Sequence, residues 1–109
     1  QPIMVDFINA NPDITGVFCI NDPTARGAIA AIKEAGLTDK IKVVSVDGSD
    51  EGKEFIRTGE MVASAAQQPE LIGEKVTTAA YKLIAGETVE TDDIIDMYII
   101  DASNVDDAE

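Results

Sequence analysis

Histidine and tryptophan are absent from this chain of 109 residues, and cysteine occurs once. Without histidine, no histidine-based nucleophilic triad can form. A zinc site lacks its usual ligands as well. A single cysteine cannot close an internal disulfide. Cys19 sits between Phe18 and Ile20, a setting that predicts a buried, inert thiol. Basic residues are also scarce, with 8 Lys and Arg against 21 Asp and Glu, for a net charge of -13. Such a surface repels phosphates, which argues against nucleic acid as a partner. It disfavours anionic membrane surfaces too. No apolar run approaches the length of a membrane span, and no signal peptide opens the sequence given. Aromatics are few, three Phe and two Tyr, so the core must be aliphatic. Apolar residues reach 45 %, enough to build such a core and to set disorder aside.

What is present is an alternation of two periodicities. Pro2 suits the first turn of a helix, and Ile3, Met4, Phe7 and Ile8 share one helical face. Asn11-Pro12-Asp13 ends that helix. Gly16 to Ile20 is a short apolar run, expected as a buried strand. Asp22 is the expected N-cap of the next helix, with Pro23 at its first position. Ala25, Ala28, Ile29 and Ile32 mark its inner face, and Gly36 closes it. Ile41 to Val46 predicts a second buried strand, ending at Asp47-Gly48. Ser49 or Asp50 would cap a short helix over 51–58, stopped by Gly59. Met61 to Ala66 is a third strand, rich in small residues. Gln67-Gln68-Pro69 opens the longest helix, reaching about Ala85, with Leu71, Ile72, Val76, Ala79, Ala80, Leu83 and Ile84 as its stripe. Ile94 to Ile100 predicts a last strand, followed by a frayed acidic tail.

Strands alternating with helices predict an α/β fold: an open, mainly parallel sheet with helices on both faces. One feature is wrong for a complete domain. The order opens on a helix, and only three strands look buried, where open α/β domains start on a strand and carry four to six. Upstream strands are therefore expected to be missing.

Three strand ends carry polar side chains: Asn21, Asp47 and Gln67. In open α/β sheets, ligands bind outside the carboxyl ends of the strands. A carboxylate can accept from two adjacent hydroxyls, in charge-assisted bonds about twice as strong as neutral ones. The amides of Asn21 and Gln67 both donate and accept, as hydroxyls do. This chemistry suits a neutral polyol. Asn and Asp at strand ends are also common turn formers and caps, so a structural role stands beside the binding one.

Two nearby patterns fail. Gly48-Ser-Asp-Glu-Gly-Lys53 is one residue short of a phosphate loop, and Glu54 stands where Ser or Thr is needed. Asp47, Ser49, Glu51 and Gly52 echo the start of a calcium loop, but Thr58 occupies the position of the bidentate Glu. No nucleophile with a base partner stands out, so the chain is not expected to be an enzyme, to hold a metal or to need a cofactor. A receiver-type signalling domain would need Lys where Gln67 stands.

Four stretches together resemble the ribose-type periplasmic sugar-binding proteins of ABC importers. They are Asn11 to Asp22 with Gly27-Ala28, Val43 to Gly48 with Gly52, Ala63 to Pro69 with Ile72-Gly73, and Ile99 to Val105. They cover almost the whole chain in the family's order. Arg26 departs from the pattern, where an apolar residue is usual, and Ser45 replaces a frequent Gly. The resemblance implies two α/β lobes that clamp a pentose or hexose, with residues 1–109 forming part of the C-terminal lobe. It implies ligand contacts from Asn21, Asp47 and Gln67, and a structural cap at Asp22. The helix over 69–86 would pack on the missing N-terminal lobe, so the isolated piece is expected to self-associate, to swap that helix or to be held by a separate partner fragment, and to bind sugar weakly or not at all. It implies a membrane permease as partner and a periplasmic or extracellular location, free or lipid-anchored. The alternative is the effector domain of a sugar-responsive repressor, which shares the fold. The Gln-Gln-Pro stretch and the Asp-Ala-Ser-Asn-Val ending are more like a transport protein.

Overall fold

A computed structural model describes residues 1–108. The elements run α1 (Pro2–Ala10), β1 (Gly16–Phe18), α2 (Asp22–Glu34), β2 (Lys42–Asp47), α3 (Asp50–Arg57), β3 (Ala63–Ala66), α4 (Pro69–Ile84) and β4 (Tyr98–Asp101). They form two compact units. The first holds Gln1–Ala66 and the segment from Tyr98 onward, and the second holds Gln67–Met97.

The first unit is built on a four-stranded sheet in the order β1-β2-β3-β4. β1, β2 and β3 are parallel, and β4 runs antiparallel to β3. The parallel strands are joined through α2 and α3, as a crossover connection requires. One row of register partners is Ser45, Ser64 and Ile100, and all three are buried. Ile100, with Val43, Cys19 and Ala66, meets Ala25, Ile29 and Ile32 of α2, Ile56 of α3 and Met4 of α1 in a single core. That core is aliphatic, as the shortage of aromatics requires. Burial pushes the Cys19 thiol pKa above its ordinary value, as expected of an inert cysteine.

Sharing one core places α1, α2 and α3 on one face of the sheet. The alternate rows, Phe18-Val44-Ala63 and Val46-Ala65-Ile99, line the other face. Phe18 is 70 % exposed and Ile99 55 %. The run from Gly16 to Ile20 is thus not a buried strand. Only Cys19 is buried within it, because β1 is an edge strand whose outer face carries no helix of this unit. In α1 the expected face is likewise only partly used: Met4 is buried and Ile8 half-buried, while Ile3 and Phe7 are exposed.

Two further expectations change. The last strand starts at Tyr98, not at Ile94, since β3 offers partners only from Ala63 to Ala66. The acidic tail is held, not frayed, as far as Ala108. Val105 is buried, Lys53 Nζ donates to the Ala108 carbonyl at 2.9 Å, and Arg57 holds Asp106 at 2.9 Å and the Val105 carbonyl at 3.2 Å. Of these bonds, the one to Asp106 is the chief cause that raises the pKa of the Arg57 guanidinium. They also give Lys53 of the phosphate-loop-like stretch a structural task.

In the second unit, α4 follows Gln68, whose side chain donates to the Asp96 carbonyl at 2.7 Å. Lys75 pairs with Asp93. No residue of α4 is buried, and Ile84, Val76 and Leu83 are the most exposed aliphatics of its stripe.

Candidate functional site

The parallel pairing of β1, β2 and β3 sets their carboxyl ends side by side. Asp47 is the last residue of β2 and is paired in register with Ala66, the last of β3. Asn21 comes three residues after Phe18, the end of β1. Gln67 follows Ala66 directly, is exposed, and opens the second unit. The structure therefore brings Asn21 and Asp47 to one edge of the first unit.

Asn21, not Asp22, is the N-cap of α2. Its backbone is extended, and its Oδ1 accepts from the Thr24 amide at 3.0 Å and the Thr24 hydroxyl at 2.6 Å. The cap shifts by one residue because Asp22 turns inward and begins the helix. The structural and binding readings of Asn21 are compatible, since they use different atoms. Capping commits the oxygen, and what the side chain can offer a ligand is the Nδ2 group, a donor of two hydrogen bonds.

Asp47 has φ 124, the single positive value outside glycine among the described residues. Such a backbone costs about 1–3 kcal/mol and persists only where its surroundings impose it. Gly48 follows with φ 72. A Cβ at position 48 would meet the Ala66 Cβ at 2.5 Å and Ile100 Cδ1 at 3.0 Å. Glycine is needed there twice over, for its dihedral and for its size.

Beneath the edge lies a network that sequence reasoning missed. Asp22 is completely buried. Its Oδ2 accepts from the Ser49 amide at 2.8 Å and the Ser49 hydroxyl at 2.7 Å. Its Oδ1 accepts from the Ser64 hydroxyl at 2.9 Å. Ser64 Oγ accepts in turn from the Gly48 amide at 3.0 Å, and Ser49 Oγ caps α3 by accepting from the Gly52 amide at 3.1 Å. A Cβ at Gly52 would fall 2.2 Å from Asp22 Oδ2. The one available signal was a polar residue, Ser64, inside a run of alanines.

The calcium-loop echo gathers no group of three or more His, Cys, Asp or Glu fit to hold a metal among the described residues. Arg26 makes an exposed ion pair with Glu51 at 3.5 Å, the kind of contact worth little to stability. A groove of about 880 Å³ lies within the second unit, between α4 residues such as Ile72, Val76 and Ala79 and the stretch around Val89 and Ile95. None of the three candidate residues lines it. It is the uncovered flank of α4 rather than a shaped polar site.

Residues 1–88 match the family model described as the periplasmic binding protein domain. The chain is 40 % identical over 88 residues to the ribose import binding protein RbsB of Haemophilus influenzae, covering 81 % of this chain and 30 % of the relative. It is 40 % identical over 104 residues to the D-apiose import binding protein of Actinobacillus succinogenes, covering 93 % of this chain and 33 % of the relative. Among solved structures, an ABC transporter periplasmic solute binding protein of Actinobacillus succinogenes with bound D-allose superposes with a TM-score of 0.92 at 27 % identity, over 98 % of this chain and 38 % of that one. The chain spans about a third of the length of the curated relatives it matches. These relatives are binding proteins of transport systems, not enzymes.

Proposed function

This chain belongs to the periplasmic binding protein domain family, in its ribose type, and from that premise we propose that it is part of the C-terminal lobe of a protein that captures a sugar for an ABC importer. Asn21, Asp47 and Gln67 are the ligand-contacting residues of this lobe. The observation that carries the reading is Asp47, held at a strained φ on the carboxyl edge of a parallel sheet whose neighbouring strand leads into Asn21. A fixed carboxylate accepts from a pair of hydroxyls, Asn21 Nδ2 donates to a hydroxyl oxygen, and Gln67 can do either.

Capture by two lobes requires that the sugar bind the closed state better than the open one. Asp47 and Asn21 supply part of that difference from this lobe, and the second lobe supplies the rest. The helix α4 is the element that meets the second lobe, which accounts for a 16-residue helix with no buried residue. The closed form is what a membrane permease would recognise, with the protein in the periplasm or at the outer cell surface. The names of the relatives favour this transport role over that of a repressor's effector domain.

Isothermal titration of the full-length protein with pentoses, hexoses and polyols tests the reading. One sugar is expected to bind tightly, and Asp47→Ala is expected to cost at least about 2 kcal/mol, because hydrogen bonds to a charge are lost. Tight binding that survives Asp47→Ala removes Asp47 from the site. No binding across the panel points to another class of ligand.

A further inference from the structure

We propose that Asp22 and Ser64 are positioning residues, which pin the backbone after Asp47 and so hold its carboxylate in place for the ligand. The inference rests on the reading of Asp47 given above and adds residues that do not themselves reach the sugar.

The geometry is specific. The two amides that follow Asp47 in the chain, those of Gly48 and Ser49, are both tied to one buried carboxylate. Ser49 donates to Asp22 Oδ2 directly, and Gly48 reaches Asp22 Oδ1 through the Ser64 hydroxyl. On the other side, Asp47 is fixed by its register with Ala66 in the β2–β3 ladder. The residue is thus clamped from both directions, and a positive φ is the outcome. Every hydroxyl hydrogen in the network is spent on Asp22, and each of the two hydroxyl oxygens accepts one amide, so the donors and acceptors run in one direction. A carboxylate at position 22 serves as acceptor to three donors at once, a task that an amide of the same shape cannot complete.

Two features point to the site rather than to folding alone. A fold selected only for stability gains nothing from a strained aspartate at a strand end, since glycine would take that dihedral freely. In addition, Asp22 follows Asn21 in the chain. The same carboxylate therefore fixes the spacing between the Asn21 cap and the Asp47 turn, the two groups that would share one sugar.

The test is a double-mutant cycle on the full-length protein, using D-ribose and D-allose as probes, with wild type, Asp47→Ala, Ser64→Ala and the double variant. Circular dichroism and a urea midpoint establish that each is folded, and Asp22→Asn serves as a second entry to the same network. Ser64→Ala is expected to weaken sugar binding about tenfold in the wild-type background and less than about twofold once Asp47 is gone, because groups that act through one another are not additive. A loss of equal size in both backgrounds would show a purely structural role and overturn the proposal. So would a loss of stability in Ser64→Ala and Asp22→Asn with affinity unchanged. Asp47→Ala without effect would instead sink the site reading itself. A ligand-free readout decides the backbone claim separately. The three-bond amide–α-proton coupling of residue 47 should be small in the wild type and large in Ser64→Ala. An unchanged coupling in that variant overturns the proposal even if neither sugar binds.

Discussion

The helices α2 and α4 carry similar apolar stripes and meet opposite fates. In α2, Ala25, Ala28, Ile29 and Ile32 are all buried against the sheet. In α4, a longer helix, nothing is buried, and Val76, Leu83 and Ile84 are 64 %, 59 % and 83 % exposed. Amphipathic spacing thus states that a face needs cover and is silent on what supplies it. For α2 the cover is in the same unit, a few residues along the chain in β2. For α4 the unit supplies only partial cover, leaving Leu71 and Ala79 half-buried and the rest of the stripe exposed.

Mutations can break this contrast or sharpen it. Ile32→Ala should have the largest effect, costing the 109-residue chain about 3–4 kcal/mol in urea denaturation, as buried Ile truncations do. Ile84→Ala in the same chain should cost under about 0.5 kcal/mol, as exposed positions do. Comparable losses at the two sites would end the comparison. Gly48→Ala should come next, at about 2–3 kcal/mol, from an unfavourable dihedral and a collision with Ala66. Val76→Ala should be nearly silent in the 109-residue chain but cost about 1–2 kcal/mol in the full-length protein, where α4 would be covered. Equal, negligible costs in both would show that α4 has no such partner.

The smallest effect is electrostatic. Glu60 has a lowered pKa, first because Lys33 donates to its carboxylate, with Thr58 adding a second bond. A carboxyl group depressed on folding contributes stability that is present above its unfolded pKa and lost as pH falls through the folded value. Acid titration of stability should therefore show a shallower decline in Glu60→Gln than in the wild type below the ordinary glutamate range. Asp101 is lowered in the same direction by Ser103, whose hydroxyl and amide both donate to it. An identical acid limb in Glu60→Gln would assign the slope to other carboxylates.

The alternation of elements, the helix stops and the placement of Asn21, Asp47 and Gln67 after or at strand ends were legible in the sequence because each has a local cause. Gly36, Gly59 and Gly86 follow their helices with positive φ, as their placement predicts. What was not legible depends on contacts between distant segments. The cap fell on Asn21 because Ser49 and Ser64, far along the chain, draw Asp22 inward. Phe18 reads as core by type, but its exposure follows from β1 being at an edge. The acidic tail looks free by composition, and only the placement of α3 brings Lys53 and Arg57 to it. The strain at Asp47 leaves no mark in composition at all.

The grip on that tail has a practical side. Lys53 and one arm of Arg57 take hold of carbonyl oxygens, those of Ala108 and Val105, rather than of side chains. Main-chain acceptors are the same whatever residue carries them. The exposed Asp107 between them, unlike Asp106, which Arg57 grips through its side chain, can therefore be rewritten while the path of the chain is kept. A cysteine placed there would mount a fluorophore at a fixed point beside α3, on a chain whose native thiol is shielded in the core. The anchored tail thus offers an attachment point for a reporter of movement in the intact protein.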